Sequence, residues 1–195
     1  ETLDWIEIRL EEINEQLDLM NAKLENTVGY ASKNSIIDSI LSTSSSKMEN
    51  LQAGLKKYTD YTANLLSKIP SQYRKAAQDG SIEITEFIGE SNEETVEAIN
   101  NYRDWAAKVA DLTQQIEELK TEIADLAKQK FDNISDEYDN IITLIENQNG
   151  KLEAQVDLME ERGYVAATQY YETMVTHTQN MQAELEKEKQ ALLSV

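Results

Sequence analysis

The feature that most constrains this chain is a regular spacing of apolar residues, in steps that alternate between three and four. In the first stretch the pattern runs through Leu3, Ile6, Leu10, Ile13, Leu17, Met20 and Leu24. This spacing places apolar side chains along one face of a helix and is the a/d pattern of a coiled coil. Trp5, Ile8 and Leu19 lie outside the pattern, and they predict a wider apolar face that packs against more than one neighbour.

The same spacing recurs in three later stretches. The second stretch contains Ile37, Leu41, Ser44, Met48, Leu51, Leu55, Tyr58, Thr62, Leu65 and Ile69. The third contains Val109, Leu112, Ile116, Leu119, Ile123 and Leu126 and, after a phase shift at 128–130, Phe131, Ile134, Tyr138, Ile141, Ile145, Leu152, Val156 and Met159. The last places Tyr171, Met174, Met181, Leu185 and Leu192 on one side. The phase shift at 128–130 changes a supercoil locally without breaking the helix. In the second stretch, the small residue Ser44 occupies a position of the apolar pattern and predicts a thin, weakly packed region there.

Helix-breaking residues are few, since the chain contains one proline and six glycines. Pro70 predicts the end of a helix, because the residue before a proline is pushed out of the helical region. Near Gly29 the apolar pattern weakens, which predicts either a short turn or a kink within one long helix. Gly163, which follows Arg162, predicts a left-handed helix cap.

The segment that follows Pro70 is the main irregular part of the sequence. We expect a short helix over 71–78 that Asp79 and Gly80 close, and then a brief extended piece over 81–84. Residues 91–94, Ser-Asn-Glu-Glu, match a capping box for the next helix.

These boundaries predict four regions: a long N-terminal helix or kinked helix pair over 1–69, a linker with a short helix over 70–91, a long central coiled-coil helix over 92–162, and a C-terminal helix that packs back over 163–195. We therefore predict an all-α fold, in which long antiparallel coiled-coil helices form an elongated helical hairpin or bundle. Because the helical pattern has already begun at Glu1, we expect the chain to be a segment of a longer protein.

Composition argues against most kinds of chemistry. The formal net charge of -19 repels nucleic acid and anionic lipid, so neither is an expected partner. No apolar run approaches the roughly 20 residues that span a bilayer. A single histidine, His177, cannot supply the paired motifs of di-iron bundles or zinc proteases, and there are no cysteines. We predict a protein that is not an enzyme, with no catalytic residues, no cofactor and no metal site, and with His177 in solvent.

The aromatic residues are the remaining candidates for packing or interaction. Trp5 and Trp105 are interpreted as packing anchors near helix ends. Tyr164, Tyr170 and Tyr171 form the densest aromatic patch, for which packing against a neighbouring element is the favoured interpretation and a recognition surface is the alternative.

Three short segments resemble one protein family. The opening residues Glu1-Thr2-Leu3-Asp4-Trp5-Ile6-Glu7 are similar to the ETFDWIE start of a helical region in tail tape-measure proteins of long-tailed Firmicute phages and prophages. Residues 130–138, KFDNISDEY, resemble the RFDNI…EYD segment of that family. Gly163-Tyr164 followed by Tyr170-Tyr171 resembles its GY…YY turn. The three segments occur in the same order and span nearly the whole chain.

The resemblance implies a non-catalytic structural segment that occupies the tail-tube lumen and sets tail length during virion assembly. Its implied partners are other tail proteins, those of the tube and the initiator complex, and its implied location is the virion tail, or the bacterial cytoplasm when a prophage expresses it. The apolar seams also permit self-association. The residue pattern alone leaves open a bacterial cell-surface or cytoskeletal coiled-coil interaction protein. We hypothesise that the segment folds back as an antiparallel bundle and opens when it is confined in the tube.

Overall fold

The computed structural model describes residues 3–84 and 92–194. Within these ranges the chain forms α1 (Asp4–Glu25), α2 (Tyr30–Lys68), α3 (Ser71–Gln78), α4 (Glu93–Glu161) and α5 (Val165–Leu193), and no described residue lies in a strand. The predicted all-α class is confirmed. The helices belong to two compact units. Unit 1 comprises Glu1–Glu25 and Asp38–Asp125, and unit 2 comprises Asn26–Ile37 and Leu126–Val195.

Glycine and arginine residues define the ends of the first two helices. Of the two alternatives near Gly29, the structure has the turn: Gly29 adopts φ +87, and its carbonyl accepts a hydrogen bond from the Lys33 N–H at 3.0 Å. At the other end α2 stops at Lys68, just before Pro70. The Arg74 guanidinium donates to the carbonyl oxygens of Ser67 and Ile69, both at 2.8 Å. It thereby satisfies acceptors that the helix end leaves without intrahelical donors.

The extended piece predicted for 81–84 is wrong, because side-chain hydrogen bonds fold this segment into a turn. The Asp79 carboxylate accepts from the Ser81 N–H at 3.0 Å and from the Ser81 hydroxyl at 2.7 Å. These two hydrogen bonds hold the pKa of Asp79 below the ordinary value of 3.8. Ser91 of the predicted capping box lies outside the described residues. The Asn92 carbonyl accepts from the N–H groups of Thr95 and Val96, both at 3.1 Å.

Unit 1 contains the apolar core. In the first core cluster, side chains of α1, α2 and α4 are buried together: Ile6, Leu10, Leu51, Tyr58, Leu112, Ile116 and Leu119. Helices α1 and α2 run antiparallel, since the Tyr58 hydroxyl donates to the Leu3 carbonyl at 3.5 Å and the Thr43 hydroxyl contacts the Met20 sulfur at 4.0 Å. A second cluster joins the end of α2 to α3 and the start of α4: Leu65, Ile69, Ala76, Ala77, Ile84, Ile99 and Tyr102.

Unit 2 has few buried apolar side chains. Tyr138, Ile142 and Leu152 of α4 are buried, together with Ile37 of α2 and Thr168 of α5. Four apolar residues that the sequence pattern placed on the inner face are exposed instead: Phe131, Ile141, Met181 and Leu192. Helix α4 continues through 128–130 without interruption, and beyond this point its inward face includes Ile142 instead of Ile141.

Gly163 closes α4 as the predicted left-handed cap. Its φ is +72, its N–H donates to the Glu160 carbonyl, and the Tyr164 N–H donates to the Met159 carbonyl, both at 2.9 Å. This pair of hydrogen bonds is a Schellman motif.

We expect Gly163→Ala to destabilise unit 2 by about 1–2 kcal/mol, because a Cβ is unfavourable in the left-handed region. Thermal unfolding followed by circular dichroism measures the effect. Gly80→Ala is the matched control, because Gly80 lies in a turn with no positive φ and nothing within 4 Å of an added Cβ. Equal effects of the two substitutions would contradict the role of the backbone conformation at Gly163.

Candidate interaction surface

No group of three or more potential metal ligands converges within residues 3–84 and 92–194. His177 is exposed on α5, as predicted. Among the described helices, none combines the length and apolar character that a bilayer crossing demands. The remaining candidates for function are surfaces that could contact other molecules.

Trp105 lies inside unit 1 rather than on an interaction surface. Its ring makes edge contacts with Tyr58, at a centroid distance of 5.1 Å, and with Tyr61, at 4.8 Å. The Lys108 ammonium lies 4.7 Å from the centre of the indole ring, within cation–π range. Trp105 packs against both apolar clusters. It is therefore a packing residue, about three turns into α4 rather than at the helix end.

Trp5 differs from Trp105, because it belongs to an exposed apolar set on α1. Trp5 is 45% exposed, Ile8 is 56% exposed and Leu19 is 73% exposed. The sequence pattern placed these three residues at the edge of one wide packing face. Their exposure corrects that interpretation, since they lie outside the face of α1 that buries Ile6 and Leu10. Trp5 and Ile8 are helix neighbours three residues apart, whereas Leu19 lies about three turns farther along α1.

The tyrosine patch lies at the turn between α4 and α5. Tyr164 is 57% exposed and Tyr170 is 61% exposed, whereas Tyr171 is half-buried. The rings of Tyr170 and Tyr171 meet edge to face with centroids 5.5 Å apart. The exposures contradict the favoured interpretation that Tyr164 and Tyr170 are packed against a neighbouring element. Among the described residues they are surface groups beside an exposed Val165.

Polar contacts join α4 and α5 along their antiparallel pairing in unit 2. The Thr178 hydroxyl donates to the Asn149 side-chain oxygen at 3.0 Å, and the Gln182 amide donates to the Glu146 carboxylate at 2.9 Å. Nearer the end of α5, the Lys189 ammonium lies 2.6 Å from the Asp139 carboxylate. The half-buried apolar residues Tyr171, Met174 and Leu185, which the spacing placed on one side of α5, accompany these polar contacts.

Tyr138 is the central aromatic residue of unit 2. Its ring lies 6.2 Å from the Tyr30 ring, and its hydroxyl donates to the Glu188 carboxylate at 3.4 Å. Burial raises the pKa of the Tyr138 phenol, and the nearby Tyr30 and Glu188 raise it further. The phenol of Tyr138 therefore stays neutral to a higher pH than a phenol in solvent does. Its hydroxyl can then continue to donate a hydrogen bond to the Glu188 carboxylate.

Comparisons with known proteins give no assignment. The chain matches no protein-family model, no curated protein and no solved structure. The three segments that resemble tape-measure proteins therefore stay a resemblance of local sequence. Any function assigned to the chain rests on those segments and on the helices and surfaces described above.

The contact between Asp139 and Lys189 predicts a pH dependence. The Lys189 ammonium holds the pKa of Asp139 below the ordinary value of 3.8. Because the folded pKa is the lower one, the contact stabilises unit 2 above the unfolded pKa and is lost as the pH falls through the folded pKa. In a carboxyl NMR titration, Lys189→Met should move the Asp139 midpoint upward, toward 3.8.

The matched control for this titration is Lys151→Met, since Lys151 is an exposed lysine of α4. It removes the same charge without touching Asp139, so the Asp139 midpoint should stay at its wild-type value. An Asp139 midpoint that Lys189→Met leaves unchanged would show that the ion pair is absent in solution.

Proposed function

We propose that this chain is a non-catalytic structural segment of a phage tail tape-measure protein, which occupies the tail-tube lumen and sets tail length during virion assembly. The observation that carries the proposal is the order of three local resemblances, at residues 1–7, 130–138 and 163–171. Repeated apolar spacing alone would carry little weight, because any coiled coil resembles any other.

Long helices support this role, because a protein that sets tail length needs a fixed relation between its number of residues and its own physical length. Helix α4 alone contains 69 residues. At a rise of 1.5 Å per residue, a helix of this size has an axial length on the order of 100 Å. Residues added to or removed from such a helix change its length in proportion.

The acidic charge also fits a segment that shares a channel with DNA. A formal charge of -19 gives repulsion between the chain and phosphate groups. Such a segment would not be retained by the DNA that follows it through the tube. The proposal includes coiled-coil packing of the seams, tube and initiator proteins as partners, and a location in the virion tail or in the cytoplasm of a bacterium that expresses the prophage.

Unit 1 contains an antiparallel helix pair, whereas a protein that sets tail length must be extended along the tube. We therefore propose that the folded-back state precedes assembly and that confinement in the tube opens it. The few buried apolar residues and the polar α4–α5 contacts of unit 2 are consistent with an opening that costs little there.

Tail length tests the proposal directly. Residues 107–155 of α4 span seven heptads, and an in-frame duplication of this range in the intact gene should lengthen tails by about 74 Å, given 1.5 Å per residue. Deletion of the same range should shorten them by the same amount. Electron microscopy of the assembled tails measures both changes.

The control for tail length is Gly150→Ala in the same gene, because it alters one exposed position of α4 without changing the residue number. Tails of unchanged length in both the duplication and the deletion would overturn the proposal. Immunolabelling of the chain on the cell surface or on internal filaments, with none in tails, would favour the alternative of a coiled-coil adhesin or cytoskeletal protein.

A further inference from the structure

The contacts between α4 and α5 follow one antiparallel register within unit 2. Gln182 contacts Glu146 and Lys189 contacts Asp139, so a step of seven residues along α5 matches a step of seven residues back along α4. This spacing is the repeat of a coiled coil. On α5, one row of buried and half-buried residues recurs in steps of four and three and is called the α5 seam below: Thr168, Tyr171, Val175, Thr178, Gln182, Leu185 and Lys189.

Tyr164 continues the α5 seam beyond the start of the helix. It precedes Thr168 by four residues, which places it on the same side if α5 is extended by one turn. Helix α5 begins only at Val165, however, and the Tyr164 side chain is 57% exposed. The turn between α4 and α5 thus leaves an aromatic residue of the seam in solvent.

One glycine separates α4 from α5. Gly163 is the residue of the turn over 162–164 that has a positive φ. The turn contains no proline, and α5 starts with the sequence Val-Ala-Ala, which is tolerated inside helices. Tyr164 occupies the N-cap position of α5 without a side-chain cap hydrogen bond. A change of backbone conformation over 162–164 therefore suffices to join α4 and α5 into one continuous helix.

We propose that two copies of this chain exchange α5, so that the α5 of each copy packs on the α4 of the other. The turn over 162–164 becomes helical in both copies, and the contacts between α4 and α5 form again across the dimer. Lys189 of one copy meets Asp139 of the other, and Gln182 meets Glu146. The exchange therefore uses surfaces that are already complementary within one chain. The proposal does not depend on the tail role.

Charge complementarity favours α5 of the second copy over its α4 as the occupant of this surface. Each chain carries a formal charge of -19, and α4 has acidic residues at intervals of seven: Asp139, Glu146, Glu153 and Glu160. Pairing of α4 with a second α4 would place carboxylates against carboxylates. The α5 seam instead offers the Lys189 ammonium and the Gln182 amide as donors.

The register also places Tyr164 at the centre of the exchanged dimer. Because the contacts converge on the turn from both sides, residues 163–164 of the two copies lie next to each other at the two-fold axis. Tyr164 faces the other copy, since it continues the α5 seam. The two Tyr164 rings then pack together and bury apolar surface that the closed chain leaves in water.

Sedimentation of the full chain tests whether the exchanged dimer forms. Refolding from urea at several chain concentrations brings opened and closed chains to equilibrium, and we expect a dimer fraction that rises with concentration. Added salt should increase this fraction, because it screens the repulsion between two chains of charge -19. A chain that stays monomeric at every concentration, with or without salt, would overturn the proposal.

Disulfide cross-linking identifies which helices meet, since the chain contains no cysteine of its own. The Thr178 hydroxyl lies 3.0 Å from the Asn149 side-chain oxygen. Chains with Asn149→Cys and tagged chains with Thr178→Cys, refolded together, should form a disulfide between copies. The control uses Asn180→Cys in place of Thr178→Cys, because Asn180 is exposed outside the seam, and it should give at least about tenfold less mixed product. Equal yields would mean that the copies associate without exchanging α5.

Gly163→Ala tests the turn as the hinge. It should raise the association constant of the dimer by about tenfold or more, because alanine is unfavourable in the left-handed turn and favourable in a continuous helix. Gly150→Ala is the control and should change the association constant by less than about twofold, since Gly150 is helical in the closed chain and in the exchanged dimer alike. Equal effects of the two alanines would contradict a hinge at 162–164.

Tyr164→Ala tests the packing at the two-fold axis. It should lower the association constant by about tenfold, through the lost burial of the two rings. Tyr170→Ala is the control, because Tyr170 is also exposed but lies outside the seam. Circular dichroism checks that both variants keep their helices, which the exposure of the two side chains leads us to expect. Dimers that the two variants weaken equally, or not at all, would show that the proposed register is wrong.

Discussion

Replacement of Gly54 by valine is expected to destabilise unit 1 by about 3 kcal/mol, the upper end of the usual cost of overpacking a core. Gly54 lies in the middle of α2 where this helix approaches α1. A Cβ at this position would lie 2.9 Å from Ile6 Cγ2 and 3.4 Å from Leu112 Cδ1. Ile6 is buried and branched at its β-carbon, so its methyl group cannot move aside without a shift of α1.

Gly150→Val is the matched control for Gly54→Val. Gly150 is also a helical glycine, but nothing lies within 4 Å of its added Cβ. The control should therefore gain a few tenths of a kcal/mol from helix propensity. Urea unfolding followed by tryptophan fluorescence reports on unit 1, which contains both tryptophans, and circular dichroism reports on the whole chain. Similar effects of the two valines would mean that α1 and α2 do not approach closely at Gly54.

The sequence was most informative where apolar residues follow one unambiguous spacing. In α1 the pattern correctly identified the buried residues Ile6, Leu10, Ile13 and Leu17. A spacing of three and four residues places the apolar side chains on one helix face. Burial of that face removes more apolar surface area from water than burial of any other face of the helix would. The same logic placed Ser44 inward, and it is buried in the structure.

The prediction was only partly correct in unit 2, because two apolar spacings compete there. Ile141 and Ile142 are adjacent, so the spacing accommodates either residue on the inner face, and the structure buries Ile142. On α5 the inward positions include Thr168, Thr178 and Gln182, whereas Met181 is exposed. Because polar side chains share this interface with the half-buried Tyr171, Met174 and Leu185 that the spacing predicted, a hydrophobic period identifies only part of the inward face.

The candidate interaction surface was only partly predictable for a related reason. Trp5, Ile8 and Leu19 could be recognised as apolar residues outside the main pattern, but spacing cannot say whether a second face meets another helix of the same chain or stays exposed. That depends on where α2 and α4 pack in unit 1. The Arg103 contacts at the end of α3 were likewise hidden, because they join residues 21 to 27 positions apart in the sequence.

Arg103 makes these long-range contacts through its guanidinium group. Its Nε donates to the Ala77 carbonyl at 3.1 Å, and its Nη2 lies 3.0 Å from the Ala76 carbonyl, 2.6 Å from the Asp79 carbonyl and 3.0 Å from the Ile82 carbonyl. These acceptors belong to the end of α3 and the turn that follows it. One side chain of α4 therefore satisfies the carbonyls that a helix end leaves free and opposes the negative end of its dipole.

Arg103→Met is expected to destabilise unit 1 by about 2–4 kcal/mol, because it removes several charge-assisted hydrogen bonds and leaves part-buried carbonyls without donors. Urea unfolding measures the loss of stability, and amide hydrogen exchange should show the largest loss of protection over 76–84. Arg103→Lys should recover only part of the stability, since an ammonium group cannot reproduce the planar fork of the guanidinium.

The matched control for Arg103 is Arg9→Met on α1, which removes the same charge and a comparable side chain. Arg9 makes an exposed ion pair with Glu12 at 3.0 Å, a contact worth at most about 0.5 kcal/mol. A much larger effect at Arg103 than at Arg9 would locate the stabilisation in the convergence of carbonyls at the end of α3. Equal small effects, with unchanged exchange over 76–84, would mean that the turn holds its shape without Arg103.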